Sequence, residues 1–227
     1  MIILHIETST NVCSVALSEN GSCLFIKSNA DGMNHAALLS SFIEEALKTT
    51  GKKPDAVAVS SGPGSYTGLR IGVSTAKGLC YGWGIPLIAV STLETMASQA
   101  LKAIADNSKA LFCPMIDARR MEVYSAFYNA KGEPVEGVSA NIITETSFSE
   151  TLEKQPVYFF GNGAAKCKTV LTHSNALFLE NIVPLATDMI QLAERAFKNK
   201  QFVDVAYFEP FYLKEFQVTT PKNKVLG

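Results

Sequence analysis

The chain is poor in the residues that most often carry chemistry. Its three histidines, His5, His35 and His173, share no spacing that would set two of them on one metal. Its five cysteines, Cys13, Cys23, Cys80, Cys113 and Cys167, are scattered without a C-x-x-C pair, which argues against a zinc ribbon or a thioredoxin-like redox motif. An odd, dispersed set in mostly apolar contexts reads as reduced, buried thiols. Neither charge dominates: 20 Lys and Arg against 21 Asp and Glu leave a net charge of −1, and nothing global suggests a nucleic-acid or membrane binder acting alone. No apolar run is long enough to span a bilayer, and Met1-Ile2-Ile3-Leu4-His5-Ile6 opens as a strand without the basic flank and cleavage site of a signal peptide. A cytoplasmic protein is expected. The pattern G-x-x-x-x-G-K-[ST] is missing too, so no P-loop lysine reaches toward a phosphate.

Apolar material and glycine are what the chain does have. It is 47% hydrophobic and 18% charged, ample for a core. Its most organised stretch runs from Ser60-Ser61-Gly62-Pro63-Gly64-Ser65-Tyr66-Thr67-Gly68-Leu69-Arg70-Ile71-Gly72 to Ala76-Lys77-Gly78. A β-branched strand over 55–59 leads into it, Gly62-Pro63-Gly64 breaks the strand, and Ser65 is placed to cap a helix. Gly68, Gly72 and Ala76 fall four apart and leave one helix face nearly bare. Each glycine costs about 1 kcal/mol relative to alanine inside a helix, so a second backbone is expected close to this face. Arg70 in the first turns opposes the macrodipole and calls for a partner.

Taken in order, strands are expected over 2–6, 12–18 and 23–27, with Asn20-Gly21 as a hairpin turn. A helix over 34–49 follows, capped by Asn34 and stopped by Gly51, with Leu39, Phe42, Ile43, Ala46 and Leu47 as its apolar stripe. After the glycine helix come a strand over 86–90 and a helix to about 105, opened by the capping box Ser91-Thr92-Leu93-Glu94. The pattern then begins again: strands over 110–116 and 122–128, a third near Val135, a strand over 157–160 entering Gly161-Asn162-Gly163, and a helix over 164–171. Further helices are expected over 147–153 and 187–198, then a docking segment over 207–213 and a frayed end over 219–227. Asp117 stands in the second series where Glu7 stands in the first. The expectation is a duplicated α/β architecture, each half a β-meander followed by βα units, divided into 1–106 and 107–227.

Acids at strand ends beside polar turns are where actin-like ATPases and sugar kinases hold metal and phosphate, which makes Glu7 and Asp117 the sharpest catalytic candidates. Such turns carry glycine. Here they are Thr8-Ser9-Thr10-Asn11 and Ala118-Arg119-Arg120, without one. An acid that caps its own turn is the competing reading. No nucleophile, metal cage or acid–base pair emerges elsewhere.

Several blocks resemble the TsaB (YeaZ-type) family of bacterial tRNA threonylcarbamoyladenosine synthesis. They are Ile3-Leu4-His5-Ile6-Glu7-Thr8-Ser9-Thr10, the stretch Gly62 to Gly72 with its continuation to Gly78, Pro114-Met115-Ile116-Asp117-Ala118-Arg119-Arg120-Met121-Glu122-Val123-Tyr124, and Glu209-Pro210-Phe211-Tyr212-Leu213. Family members usually carry aspartate where Glu7 stands. The resemblance implies an actin/Hsp70-like fold in two lobes and a protein that acts by association. It implies a TsaD-type catalytic partner, a TsaE-type ATPase, contact with tRNA through the complex, and an option of homodimerisation. The TsaD relative binds metal through two histidines four apart; Thr92 and Met96 stand at those positions here. A partner interface is therefore expected at His35, Leu39, Phe42, Ile43, Tyr66, Gly68, Leu69, Arg70, Gly72, Val73 and Ala76, and Gly72→Arg is expected to break it while sparing the fold. Glu7, Ser9, Asp117, Gly161 and Gly163 would line a cleft able to hold ATP or ADP weakly between the lobes. No metal site and no catalytic residue are expected. The rival readings are a small ATP-dependent kinase or ATPase of the same fold and, with almost no residue support, a metallopeptidase.

Overall fold

The computed structural model describes residues 1–32, 34–104 and 109–213. The expected division at 106 and the frayed end over 219–227 lie outside them.

Two five-stranded sheets share one topology. In the first, β1 (Ile2–Glu7), β2 (Cys13–Glu19), β3 (Ser22–Asn29), β4 (Ala56–Gly62) and β5 (Leu87–Ser91) run in the order β3-β2-β1-β4-β5. The meander β1–β3 is antiparallel, and β4 and β5 add to it in parallel. In the second, β6 (Leu111–Asp117), β7 (Glu122–Tyr128), β8 (Pro134–Ile142), β9 (Val157–Phe160) and β10 (Ala176–Phe178) repeat this as β8-β7-β6-β9-β10. This is the duplicated actin-like architecture. Strand β10 was not legible beforehand, because three residues with no alternation carry no period.

One face of the first sheet is covered by α1 (His35–Thr50) and α2 (Tyr66–Trp83). Leu4, Ile6, Val15 and Val59 from the strands meet Leu39, Phe42, Ile43, Val73 and Ala76 from the helices in a single apolar cluster. Gly51 ends α1 in the left-handed conformation at φ +63°, as expected. Asn34 does not cap it: its side chain makes no capping bond, and its backbone carbonyl accepts from Ala37 and Leu38 instead. The Ser91–Glu94 box of α3 (Thr92–Ala103) is half made. Ser91 Oγ accepts from the Glu94 amide at 3.4 Å, but the Glu94 carboxylate is drawn away by Arg195 at 2.9 Å.

The short helices α4 (Ser149–Leu152) and α5 (Ala164–Cys167) belong to the second lobe, α5 stopping well before the expected 171. Helix α3 joins the lobes. Its Leu93, Met96, Ala97 and Ala100 pack with Phe112, Ile116, Ala126 and Phe160 of the second sheet, so apolar side chains fill this part of the space between them.

The chain then crosses back. The 3₁₀ turn Ala186–Met189 and α6 (Ile190–Lys198) close the open face of the first sheet, where Met189 and Ala193 pack on Ile3, Ala56, Ala58, Ile88 and Val90. Val203 bridges to Leu87, and the Phe211 amide donates to the Ser61 carbonyl at 2.7 Å. Much of the stretch assigned by sequence to the second half thus completes the first.

Candidate functional site

The glycine face of α2 is occupied by the chain's own Thr8-Ser9 turn. A Cβ at Gly64 would overlap the Ser9 carbonyl oxygen, one at Gly68 the Thr8 carbonyl oxygen, and one at Gly72 the Thr8 hydroxyl. Hydrogen bonds fix the approach. Ser65 donates its amide to the Ser9 carbonyl at 2.6 Å, and Thr8 Oγ1 donates to the Gly68 carbonyl at 2.8 Å. The Thr8 amide reaches Ser60 Oγ at 3.3 Å, while Ser65 Oγ caps α2 by accepting from the Gly68 amide. His35 Nε2 donates to the Thr10 carbonyl at 2.7 Å and pins the start of α1 to the same turn. The backbone expected near this face is real, and it is internal. The expectation that Gly72→Arg spares the fold is therefore reversed.

Of the residues expected at a partner interface, His35, Leu39, Phe42, Ile43, Gly68, Leu69, Gly72, Val73 and Ala76 are buried within the chain; Tyr66 is half-buried and Arg70 exposed. Arg70 takes its partner from its own helix, donating to Tyr66 Oη at 3.0 Å and lying over that ring, which in turn packs 5.0 Å from Tyr212. The face that α1 and α2 turn to solvent carries Ala37, Ser40, Ser41 and Glu44 with Thr67, Arg70, Ser74, Gly78 and Tyr81. Apart from Tyr81, 87% exposed, these are small or polar residues that an apolar stripe does not flag.

Glu7 ends β1 fully buried. Its Oε1 accepts from the Ser9 amide at 2.6 Å, while Oε2 and the neighbouring Ser9 Oγ have no partner among the described residues. Burial pushes its carboxyl up to about 7, against the opposing pull of the Ser9 amide and the nearby Ser9 and Ser60 hydroxyls. Two positions earlier on the same strand face, His5 donates to or accepts from Ser18 Oγ at 2.8 Å, and burial pushes its imidazole down to about 3. The imidazole is therefore neutral near pH 7, and the Glu7 carboxyl is mainly protonated only below that pH, which is how an apolar surrounding accommodates them. Glu7 and Ser9 thus form an acid-capped turn with one spare carboxyl oxygen and one spare hydroxyl.

Asp117 lies apart, exposed at the end of β6. Its carboxylate pairs with Lys166 and accepts from the Arg119 amide at 3.0 Å, and its own amide donates to Asn162 Oδ1 at 3.0 Å. Gly161 and Gly163 allow the following loop to lie on β6: a Cβ at Gly161 would overlap the Met115 carbonyl and Met96, and one at Gly163 the backbone between Ile116 and Asp117. The five residues expected to line one cleft therefore fall into two groups, Glu7 with Ser9 and Asp117 with Gly161 and Gly163, and no hydrogen bond among the described residues joins them. Lys166 and Ser60 were missed because no spacing in the chain ties them to these acids. Arg119 and Arg120, by contrast, were visible as bulky residues in a turn. Both adopt left-handed backbone angles, φ +73° and +51°, at about 1–2 kcal/mol each for an L-residue. Among the described residues no three His, Cys, Asp or Glu side chains gather as a metal cage, and no helix is long and apolar enough to cross a membrane.

Comparison with known proteins gives a consistent result. The family model described as "TsaD: tRNA N6-adenosine threonylcarbamoyltransferase" matches residues 30–221. The chain is 31% identical to the tRNA threonylcarbamoyladenosine biosynthesis protein TsaB of Haemophilus influenzae, with 98% of this chain and 97% of that protein covered. It is 32% identical to the TsaB of Escherichia coli K12, with 94% and 95% covered. The crystal structure of YeaZ from Pseudomonas aeruginosa superposes with a TM-score of 0.78 at 26% identity, over 93% of this chain and 100% of that one.

Proposed function

The chain belongs to the TsaB (YeaZ) family, and from that premise we propose that it is a non-catalytic partner subunit in threonylcarbamoyl transfer to the adenosine beside the anticodon of tRNA. In this reading it binds a TsaD-type catalytic subunit and a TsaE-type ATPase in the cytoplasm, and meets tRNA within their assembly. The observation that carries it is the state of the two strand-end acids. Glu7 is fully buried, its carboxyl raised to about 7 and bonded into its own turn, and the Asp117 carboxylate is paired with Lys166. An acid that orients a metal-bound water has to be ionised, open to it and free of a competing cation. Thr92 and Met96 are buried as well and offer no imidazole. The partner is met through the outward face of α1 and α2, because the inward residues are committed to the core. This face is also the one that a homodimer would use.

The test removes the chain from its host and measures threonylcarbamoyladenosine in total tRNA by mass spectrometry, with partners identified by co-purification. Loss of the nucleoside, restored by the intact gene and by Asp117→Ala, is the expected result. Undiminished nucleoside without the chain would end this reading, as would ATP turnover by the isolated chain that vanishes in Asp117→Ala. Weak ATP or ADP binding at the Glu7 turn is a second reading, favoured by the spare Glu7 Oε2 and Ser9 Oγ. Calorimetric titration with ATP and magnesium, on the parent and Glu7→Gln, decides it.

A further inference from the structure

We propose that the turn between β6 and β7 is a contact site for the phosphate backbone of RNA, with Arg119 and Arg120 as its two phosphate ligands. The inference rests on the reading that the protein works on tRNA; the site itself is argued from the turn. Arg119 and Arg120 occupy consecutive left-handed positions, where glycine and asparagine are the residues that backbone sterics favour. Both side chains are exposed, and neither guanidinium has a hydrogen-bond or ion-pair partner among the described residues. The strained backbone therefore secures nothing inside the fold through these side chains. Its effect is to hold two arginines outward on one tip.

The base of the turn is built so that they stay uncompensated. Asp117 and Glu122 flank the turn; the Asp117 carboxylate is taken by Lys166 and the Arg119 amide, and no ion pair among the described residues joins Glu122 to either arginine. Lys166 is held in place by a second bond, to the Glu122 carbonyl at 2.7 Å. Asn162 closes the other side by accepting from the Asp117 amide. Asp117 and Lys166 cancel, and two exposed arginines remain against the single acid Glu122, which starts β7. Arginine's planar fork matches phosphate oxygens bidentately, and two adjacent forks on a rigid tip suit successive phosphates of one strand. Two such contacts give weak, strongly salt-dependent binding by the chain alone, fitting a subunit that adds to an assembly rather than captures RNA itself.

The experiment replaces Arg119→Asn together with Arg120→Gly in the full chain and measures binding of a tRNA transcript by anisotropy across a salt series starting near about 50 mM. Asparagine and glycine relieve the backbone, so the variant melts at or above the parent temperature. Its slope of log affinity against log salt falls by about one per arginine removed. Arg119→Gln with Arg120→Gln, which keeps polar side chains and the backbone strain but removes the charges, loses the same slope, and Lys52→Ala in the loop after α1 loses none. An unchanged slope and affinity in both arginine variants would overturn the proposal. So would retained RNA binding alongside loss of a co-purifying acidic protein, which would assign the arginines to that protein instead. The binding series is independent of the nucleoside measurement: a chain dispensable for threonylcarbamoyladenosine can still show the arginine-dependent slope, and one that is required can lack it.

Discussion

At the scale of single residues, His5 and Glu7 set opposing pH dependences on stability. The Glu7 carboxyl is raised from 4.5 to about 7 in the fold, so between these values the native state holds a proton that the unfolded chain has released. That contribution is full below the unfolded value and is lost as pH rises toward 7. His5 is lowered from 6.5 to about 3, so the unfolded chain takes up the proton first, and its contribution is full above 6.5 and lost as pH falls toward 3. Between 4.5 and 6.5 the two slopes act against each other, with Asp188 and Glu94, also raised by burial, adding to the Glu7 side. Glu7→Gln keeps the acceptor for the Ser9 amide and removes one of them. Relative to the parent, urea stability of this variant is expected to climb by about 1 kcal/mol or more per pH unit from pH 5 to 6.5. A difference curve that stays level would show that Glu7 is ionised in the fold. The position of Glu7 at a strand end was legible in the sequence. Its burial was not, since that depends on Ser60, fifty-three residues away in the chain, and on the returning C-terminal segment.

At the scale of elements, α2 separates what spacing can say from what it cannot. The i, i+4 run of Gly68, Gly72 and Ala76 announced that something lies close, and something does. Whether that neighbour is a partner or the chain's own turn is not encoded in the run, because both need the same bare face. The contacts decide it and give opposite signs to two glycine substitutions in one helix. Gly68→Ala pushes a methyl group into the Thr8 carbonyl, a backbone atom that cannot rotate away, and is expected to destabilise by about 1–3 kcal/mol. Gly78→Ala meets nothing within 4 Å and removes a flexible residue from a helix, so it is expected to stabilise by about 1 kcal/mol. Thermal melting of the pair tests this. If both variants melt at the parent temperature, close packing of α2 on the Thr8 turn is not what the glycines provide. The meander strands and long helices were legible because their alternation and apolar stripes are local. Strand β10 and the half-made Ser91–Glu94 box were not, because pairings to β9 and to Arg195 determine them.

At the scale of the whole molecule, the two lobes are repeats in topology but unequal in surface. The first has both sheet faces covered, one by α1 and α2 and the other by the returning α6, so what it offers outward is the far side of a helix pair that is already anchored. Such a surface can dock a partner without reorganising the core beneath it. Ser74 is exposed on α2, one turn beyond Arg70 and on the same side. Ser74→Arg places a long cation at the middle of that face, with the helix backbone and the Thr8 turn untouched. Surface changes of this kind normally leave stability within about 0.5 kcal/mol, so the variant is expected to melt with the parent. Burying the new charge unpaired against a docking subunit costs about 2–5 kcal/mol, more than a tenfold loss of affinity at about 1.4 kcal/mol per decade. Gly72→Arg, two residues away but facing inward, is expected to do the reverse and lose the fold before any binding can be measured. Titrating both variants with the TsaD-type subunit, alongside their melting curves, distinguishes an interface on the outer helix face from one elsewhere. A folded Ser74→Arg that binds at parental affinity would move the partner off this face. The candidate surface would then shift to the aromatic segment around Tyr207, which runs beside Lys77 and Tyr81 on a groove of 560 Å³.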